Sequence, residues 1–297
     1  MAAVFEFGAE PCGGTEAEYV REILAWRAAQ DQELRDRHFS PLALTHILRL
    51  QRETTTIGSA PDADLRLDGA AATYHAVVVR LDGVPTRFVL RPADGAVFDD
   101  AVPDRRLAEV PLNKGTRVRI GRFIVYFDDV ATVGPVLRVL DFESRPYVEF
   151  DGLAWFPVDP AYRIEATVRR HPEPRPIRII DTLGWESPGW AWGEARFELQ
   201  GRTHNVTLVL FTPRPGANDL VYVIFKDATN GKETYPACRY VLLPFSEADR
   251  LVLDFNRALN PHCAYNTGFA CPLPPPGNRL PVAIRVGEKN YPHRPAH

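Results

Sequence analysis

From Leu42 onward the chain consists almost wholly of short β-branched or aromatic runs between turn residues, and this limits its fold more than any other feature. Val77-Val78-Val79, Phe88-Val89-Leu90, Arg117-Val118-Arg119-Ile120 and Phe123-Ile124-Val125-Tyr126-Phe127 are broken by Asp62-Ala63-Asp64, Asp82-Gly83 and Asn113-Lys114-Gly115. That spacing suits a sandwich or barrel. Tyr162 to Val168 alternates as a strand should, and further strands are predicted at 194–200, 204–211, 220–226, 234–243, 250–255 and 280–286. Asp82-Gly83 and Asn230-Gly231 predict two-residue hairpins, because a type I′ turn needs positive φ at both central residues. One helix precedes the strands, from about Glu16 to Arg37, with Tyr19, Ile23, Trp26 and Leu34 at helical spacing. Thr15 and Glu18 make a capping box, Phe39-Ser40-Pro41 ends the helix, and it is read as a clamp over the sheets that follow. Asp141-Phe142-Glu143-Ser144-Arg145-Pro146 interrupts the strands, so the expected parts are a helical segment 1–41, a β-sandwich 42–140 and an antiparallel β-domain, barrel or sandwich, 141–297.

Composition excludes several classes. A chain of 297 residues with 45% apolar and 25% charged residues buries a real core. Its net charge of −3 leaves no basic field for nucleic acid. No run of eighteen apolar residues predicts a membrane helix, and Met1 to Glu10 lacks the basic and apolar regions of a signal peptide, so a cytoplasmic location is expected. Four cysteines (Cys12, Cys238, Cys263, Cys271) are too few for a disulfide scaffold. No cofactor is implied.

Residues about 54–127 resemble a forkhead-associated (FHA) domain: Thr56-Ile57-Gly58-Ser59, Asp62-Ala63-Asp64-Leu65, His75-Ala76, and Leu112-Asn113-Lys114-Gly115-Thr116 leading to Ile120-Gly121-Arg122. The resemblance implies phosphothreonine binding through an arginine after the first Ile-Gly and a serine three residues before the histidine. Here those positions hold Ser59 and Ala72. Serine cannot replace the bidentate, charge-assisted grip of arginine. Phosphopeptide binding is therefore not expected, and His75 reads as a structural histidine. Arg66, Arg80 and Arg122 offer an anion site only if they leave the solvated faces where strand arginines usually sit.

The polar residues concentrate in the last quarter. Trp155-Phe156-Pro157-Val158-Asp159-Pro160-Ala161-Tyr162-Arg163, Phe225-x-Asp227-x-Thr229-x-Gly231-x-Glu233-Thr234-Tyr235, Arg239-Tyr240, Asp254-Phe255-Asn256, Asn260-Pro261-x-Cys263-Ala264, Cys271-Pro272 and Gly287-Glu288-Lys289 together resemble DUF1684, a bacterial and archaeal family without a known function. The resemblance implies a family but no chemistry. Two positions depart from its pattern: Cys238 stands where glycine is expected, and His262 where a second proline is.

Physical reading of these residues gives a candidate site. Tyr235 and Arg239 share one face of the strand returning from the Asn-Gly turn, and Asp254 and Asn256 share a face of the next. If those strands are neighbours, the groups converge with Asp227, Thr229, Asn260, Cys263 and Glu288. One reading is a pocket for a small polar or anionic molecule: Arg239 anchors it, Tyr235 and Asn256 orient it, and Glu288 or Asp254 serves as the base if chemistry occurs. The other is a purely structural polar network with Arg239 paired to Asp254 or Glu288. A third possibility is a protein-interaction module using the FHA-like face. Cys263 and Cys271 are eight residues apart and can bridge across the loop if their Cα atoms approach, though a reducing cytoplasm disfavours the bond. Adjacent His262 and Cys263 point apart, which argues against a thiolate–imidazolium couple, and Cys238, His262, Cys263 and Cys271 lack zinc-site spacing. Trp185, Trp190 and Trp192 fall in one predicted loop and are expected to fold into the core. Pro272 to Pro276 is expected to be an ordered, extended rim.

Overall fold

The computed structural model describes residues 15–69, 72–83, 87–102, 104–130 and 134–293. Cys12, the Met1 to Glu10 stretch and positions 84–86 beyond Asp82-Gly83 lie outside the described residues. The chain divides into two compact units, Glu33–Phe150 and a second one formed by residues through Gln32 and from Asp151 onward.

The first unit is a sandwich of two five-stranded sheets. One has the order β1 (Leu44–Arg49), β10 (Gly134–Leu140), β9 (Phe123–Val130), β8 (Arg117–Ile120), β6 (Phe98–Asp99). The other runs β3 (Leu65–Arg66), β2 (Thr54–Gly58), β4 (Ala76–Leu81), β5 (Arg87–Pro92), β7 (Val110–Leu112). Alternation drives both. In Arg117-Val118-Arg119-Ile120 only the aliphatic residues are buried, and they join Ile57, Leu90, Leu137 and Val139 in the core between the sheets. A short helix, α2 (Arg145–Val148), follows β10, and Tyr147 donates its hydroxyl to the Arg35 carbonyl at 2.7 Å.

The second unit contains the helix α1 (Glu16–Leu34) and one antiparallel sheet. Its order is β15 (Arg239–Pro244), β14 (Leu220–Phe225), β13 (Arg202–Leu210), β12 (Glu186–Leu199), β11 (Arg163–Ile180), β16 (Arg250–Asp254). The sheet nearly closes into a barrel, because the chain leaving β16 returns to β15: Tyr240 and Leu259 exchange backbone hydrogen bonds of 2.8 and 2.9 Å. Ala195, Phe197 and Leu199 point inward from β12 while Glu194, Arg196 and Glu198 face solvent. The Phe225 and Phe255 rings meet edge to face at 5.2 Å in the core.

Several elements differ from the sequence reading. The helix stops at Leu34, and its capping box is present: the Thr15 N–H donates to Glu18 Oε2 at 2.6 Å and the Glu18 N–H to Thr15 Oγ1 at 3.3 Å. Through Gln32 the helix belongs with the C-terminal strands rather than clamping those that follow it. Trp26 packs edge-on against Trp155 at 5.8 Å, and Arg27 donates to the Phe156 carbonyl at 2.9 Å. Trp190 and Trp192 lie within β12 rather than in a loop; Trp192 is buried, whereas Trp185 remains exposed. Asn230-Gly231 is not a type I′ hairpin: Gly231 has φ +81 but Asn230 does not enter the left-handed region. Residues 227–237 instead wind into turns, with the Thr229 carbonyl accepting from the N–H groups of Lys232, Glu233 and Thr234. The predicted strand at 234–243 accordingly begins only at Arg239, and 280–286 is extended without joining the sheet ladder.

Candidate functional site

Arg239 opens β15 and is fully buried. Its Nη2 donates to Asp227 Oδ2 at 2.6 Å and to the Ile284 carbonyl at 2.8 Å; its Nη1 donates to the carbonyls of Val286 at 2.6 Å and Glu288 at 3.2 Å. Carbonyls two residues apart on an extended segment point the same way, so one guanidinium fork bonds three of them where a neighbouring strand would otherwise stand. This explains 280–286: Leu280, Val282, Ile284 and Val286 alternate inward as in a strand, but an arginine side chain replaces part of the ladder. Desolvation lowers the Arg239 pKa while Asp227 beside it opposes that shift. Asp227 Oδ1 also accepts from the Thr229 N–H at 2.6 Å and the Thr229 hydroxyl, which meets Thr234 Oγ1 at 2.8 Å. The partner of Arg239 is therefore Asp227, not Asp254 or the Glu288 carboxylate.

Glu288 is likewise fully buried. Its carboxylate accepts from the Asn260 N–H at 2.8 Å, Asn260 Nδ2 at 2.7 Å and the Tyr265 hydroxyl at 2.8 Å. Burial pushes its pKa up to about 7 despite those donors. Gly287 has φ +76, and a Cβ there would stand 2.8 Å from Ala258 and from the Phe255 carbonyl, so only glycine lets the last segment approach this closely.

Asp254 and Asn256 form a separate cluster. Asn256 sits in a 3₁₀ turn rather than on a strand, and neither it nor Asp254 bonds Arg239, whose carboxylate partner is Asp227. Their partner is the helix: the Tyr19 hydroxyl lies 2.9 Å from both Asp254 oxygens and accepts from Asn256 Nδ2 at 2.9 Å. Asn256 Oδ1 accepts from the Asp159 N–H at 2.9 Å, and burial raises the Asp254 pKa.

The fourth group is a corner of thiols and phenols. Cys238, Cys263 and Cys271 are buried free thiols. The Cys263 N–H donates to Cys271 Sγ at 3.2 Å, and the Tyr235 hydroxyl reaches the Cys263 carbonyl at 3.2 Å and its Sγ at 3.4 Å. Cys238 Sγ and the Tyr240 hydroxyl both approach the Pro272 carbonyl, at 3.6 and 2.7 Å. Thr182 Oγ1 accepts from the Cys271 N–H at 3.2 Å. A hydrogen bond from the Cys271 thiol, with others from Tyr235 and Thr182, lowers the Cys263 pKa to about 7 and raises that of Cys271. Burial pushes Cys238 up. His262 points to the surface, away from Cys263, with its ring against Phe269 at 5.2 Å. Among the described residues no three His, Cys, Asp or Glu side chains are arranged to hold a metal ion.

Of the residues singled out by sequence, Asp227, Thr229 and Arg239 form one network, Asn260 and Glu288 a second that touches it through the Glu288 carbonyl, Asp254 and Asn256 a third, and Tyr235 and Cys263 the thiol corner. Sequence reasoning missed Tyr19, Thr234, Tyr265 and Asn278. Tyr265 directly follows the Asn260-Pro261-x-Cys263-Ala264 motif, whereas nothing local marks Asn278, whose buried amide ties Thr207 on β13 to Ile224 on β14.

In the FHA-like unit, the Ser59 hydroxyl donates to the Ala72 carbonyl at 3.1 Å. Arg66 pairs with Asp68, and Arg122 with Asp141 and Glu143. His75 is buried, with Nδ1 lacking a hydrogen-bond partner among the described residues. No described helix is long and apolar enough to cross a membrane.

No functionally curated protein matches the sequence. An uncharacterised protein from Haloarcula marismortui, solved by NMR, is 34% identical over 48% of this chain and 78% of its own, with a TM-score of 0.41. Similar structures also include the N-terminal FHA domain of EssC, from the bacterial type VII secretion apparatus: 18% identity, 32% of this chain and 44% of that one, TM-score 0.24. EmbR of Mycobacterium tuberculosis, in complex with a low-affinity phosphopeptide, matches at 22% identity over 41% of this chain and 32% of its own, TM-score 0.24. The signature of DUF1684, described as a protein of unknown function, matches residues 148–289, and the chain belongs to that family.

Proposed function

We propose that the C-terminal unit recognises a small polar molecule beside Cys263 and reacts with it through that thiol. The observation that supports this reading is the meeting of Cys263, Cys271 and Cys238 with the Tyr235 and Tyr240 hydroxyls in one corner. Thiolate is the nucleophilic form of cysteine, and donors aimed at a sulfur stabilise it. In this reading Arg239, Asp227, Asn260 and Glu288 form the frame rather than the contact surface. Most of their donors and acceptors are spent on one another and on the backbone; of their buried side-chain atoms, Arg239 Nε and Asn260 Oδ1 lack a hydrogen-bond partner among the described residues. Asp254 and Asn256 are spent on Tyr19 in the same manner. A cytoplasmic setting fits, since free thiols persist in a reducing compartment.

The test is labelling of the full chain with iodoacetamide across a pH series, followed by peptide mapping. Cys263 is expected to react first, with a midpoint near 7, while Cys238 stays unlabelled. Equal, slow labelling of all three thiols would remove the reading.

A further inference from the structure

We propose that Cys263 and Cys271 are a peroxide-reducing dithiol, with Cys263 the attacking sulfur and Cys271 the resolving one. The proposal rests on the reactive Cys263 described above and adds both the class of substrate and the second residue.

Three observations carry it. First, the two residues are close in space although eight positions apart in sequence: the Cys263 backbone N–H, in the turn that follows Pro261, donates to Cys271 Sγ at 3.2 Å. A disulfide needs approach of this kind before any backbone movement. Second, the two thiols differ. The Tyr235 hydroxyl lies 3.4 Å from the Cys263 sulfur, and hydrogen bonding lowers the Cys263 pKa while that of Cys271 is raised. One sulfur is thus prepared as thiolate while the other stays protonated until it is needed. Third, access is narrow. Cys263 is 3% exposed and Cys271 6%, which favours an oxidant of a few atoms over a bulky disulfide.

Cys263 thiolate attacks one oxygen of a hydroperoxide; the S–O bond forms, the O–O bond breaks, and the leaving oxygen takes a proton to depart as water or an alcohol. The Tyr235 hydroxyl, already directed at the sulfur, is placed to hydrogen-bond that departing oxygen. Cys263 is now a sulfenic acid. The Cys271 sulfur then attacks the Cys263 sulfur; the S–S bond forms, and the sulfenic hydroxyl leaves with the thiol proton as water. Each sulfur gives up one electron, and the peroxide oxygens receive the two. Two equivalents of a thiol small enough to reach the bond return the pair to its starting state by exchange, forming their own disulfide. Cys238 takes no part: its pKa is raised by burial, so it is held as thiol.

The test treats the reduced full-length protein with stoichiometric hydrogen peroxide and, in parallel, with oxidised glutathione, then measures intact mass and maps peptides. Peroxide is expected to remove the mass of two hydrogens and to join the Cys263 and Cys271 peptides, at least about tenfold faster than the glutathione disulfide does. In Cys271→Ser, Cys263 is expected to stop as a sulfenic acid that dimedone traps. The wild-type mapping needs no variant, so a Cys271→Ser chain that fails to fold leaves the test standing. Over-oxidation of Cys263 with Cys271 still reduced, or oxidation by glutathione disulfide as fast as by peroxide, would overturn the proposal. If iodoacetamide labels Cys263 near neutrality yet peroxide forms no bond, the dithiol idea fails and the reactive-thiol reading survives. If neither reagent touches Cys263, both fail.

Discussion

The Arg239 network and the thiol corner lie in the same unit, are equally buried and are built from the same family motifs, yet they use burial in opposite ways. Around Arg239 a strong charge is matched by an opposite charge and by three carbonyls, so burial is tolerable and the result is rigid. Around Cys263 the partners are weak donors and a second thiol, so burial leaves a group whose protonation is easily moved. A motif made of polar residues is thus not by itself a motif made for ligands: its heavily paired members hold the chain, and the proposed chemistry falls to the weakly paired ones. The FHA-like unit gives a third case, in which the signature positions carry Ser59 and Ala72, and Arg66 and Arg122 are tied to carboxylates.

The largest test of this contrast is Arg239→Ala. It leaves Asp227 as an uncompensated buried charge and frees the carbonyls of Ile284, Val286 and Glu288, so the second unit is expected to lose about 3–5 kcal/mol in denaturant unfolding. A loss below about 1 kcal/mol would mean the network is not the frame, and the ligand-anchor reading of Arg239 would return.

Next comes Glu288. Its folded pKa of about 7 lies above the ordinary 4.5, so the fold binds its proton more tightly than the unfolded chain does. The stabilisation from this group is full below about pH 4.5 and is lost as pH rises through 7, a change on the order of 3 kcal/mol. Glu288→Gln should flatten that part of the stability–pH curve. Asp254, also raised by burial, keeps a smaller slope of the same sign. An unchanged curve in the variant would show that Glu288 is ionised throughout.

How much of this was legible in the sequence follows the same divide. The strands of both units were readable because each buries alternate residues against one core, and the helix start was readable because Thr15 and Glu18 form a local reciprocal pair. The stretch 280–286 shows where periodicity stops informing: alternating burial is common to a strand and to an extended segment held by an arginine fork, and only the partner distinguishes them. The turns at 227–237 escaped because Asn230 bonds the Asp227 N–H with its side chain instead of entering a left-handed conformation. Asp254 and Asn256 were found, but their partner Tyr19 lies more than two hundred positions away, on a helix whose face toward them no local pattern reveals.

Tyr19→Phe measures that long-range tie. The substitution keeps the ring and removes the hydroxyl shared by Asp254 and Asn256, at an expected cost of about 1–2 kcal/mol. It also removes one donor that favours the Asp254 carboxylate, so the Asp254 pKa should rise further, and NMR titration of that carboxyl would show it. If stability and titration are both unchanged, α1 is not fixed to β16 by this contact.

The smallest expected effect on stability belongs to the residue given the chemistry. Cys263→Ala removes one sulfur from a corner whose partners are weak donors and thiols, and the expected cost is about 1 kcal/mol. Cys271 keeps its hydrogen bond from the residue 263 backbone N–H, which alanine retains. Labelling at neutral pH should nevertheless disappear, so stability and reactivity separate at this position as they do not at Arg239. A Cys263→Ala protein as unstable as Arg239→Ala would place the thiol inside the frame and dissolve the distinction between the two regions.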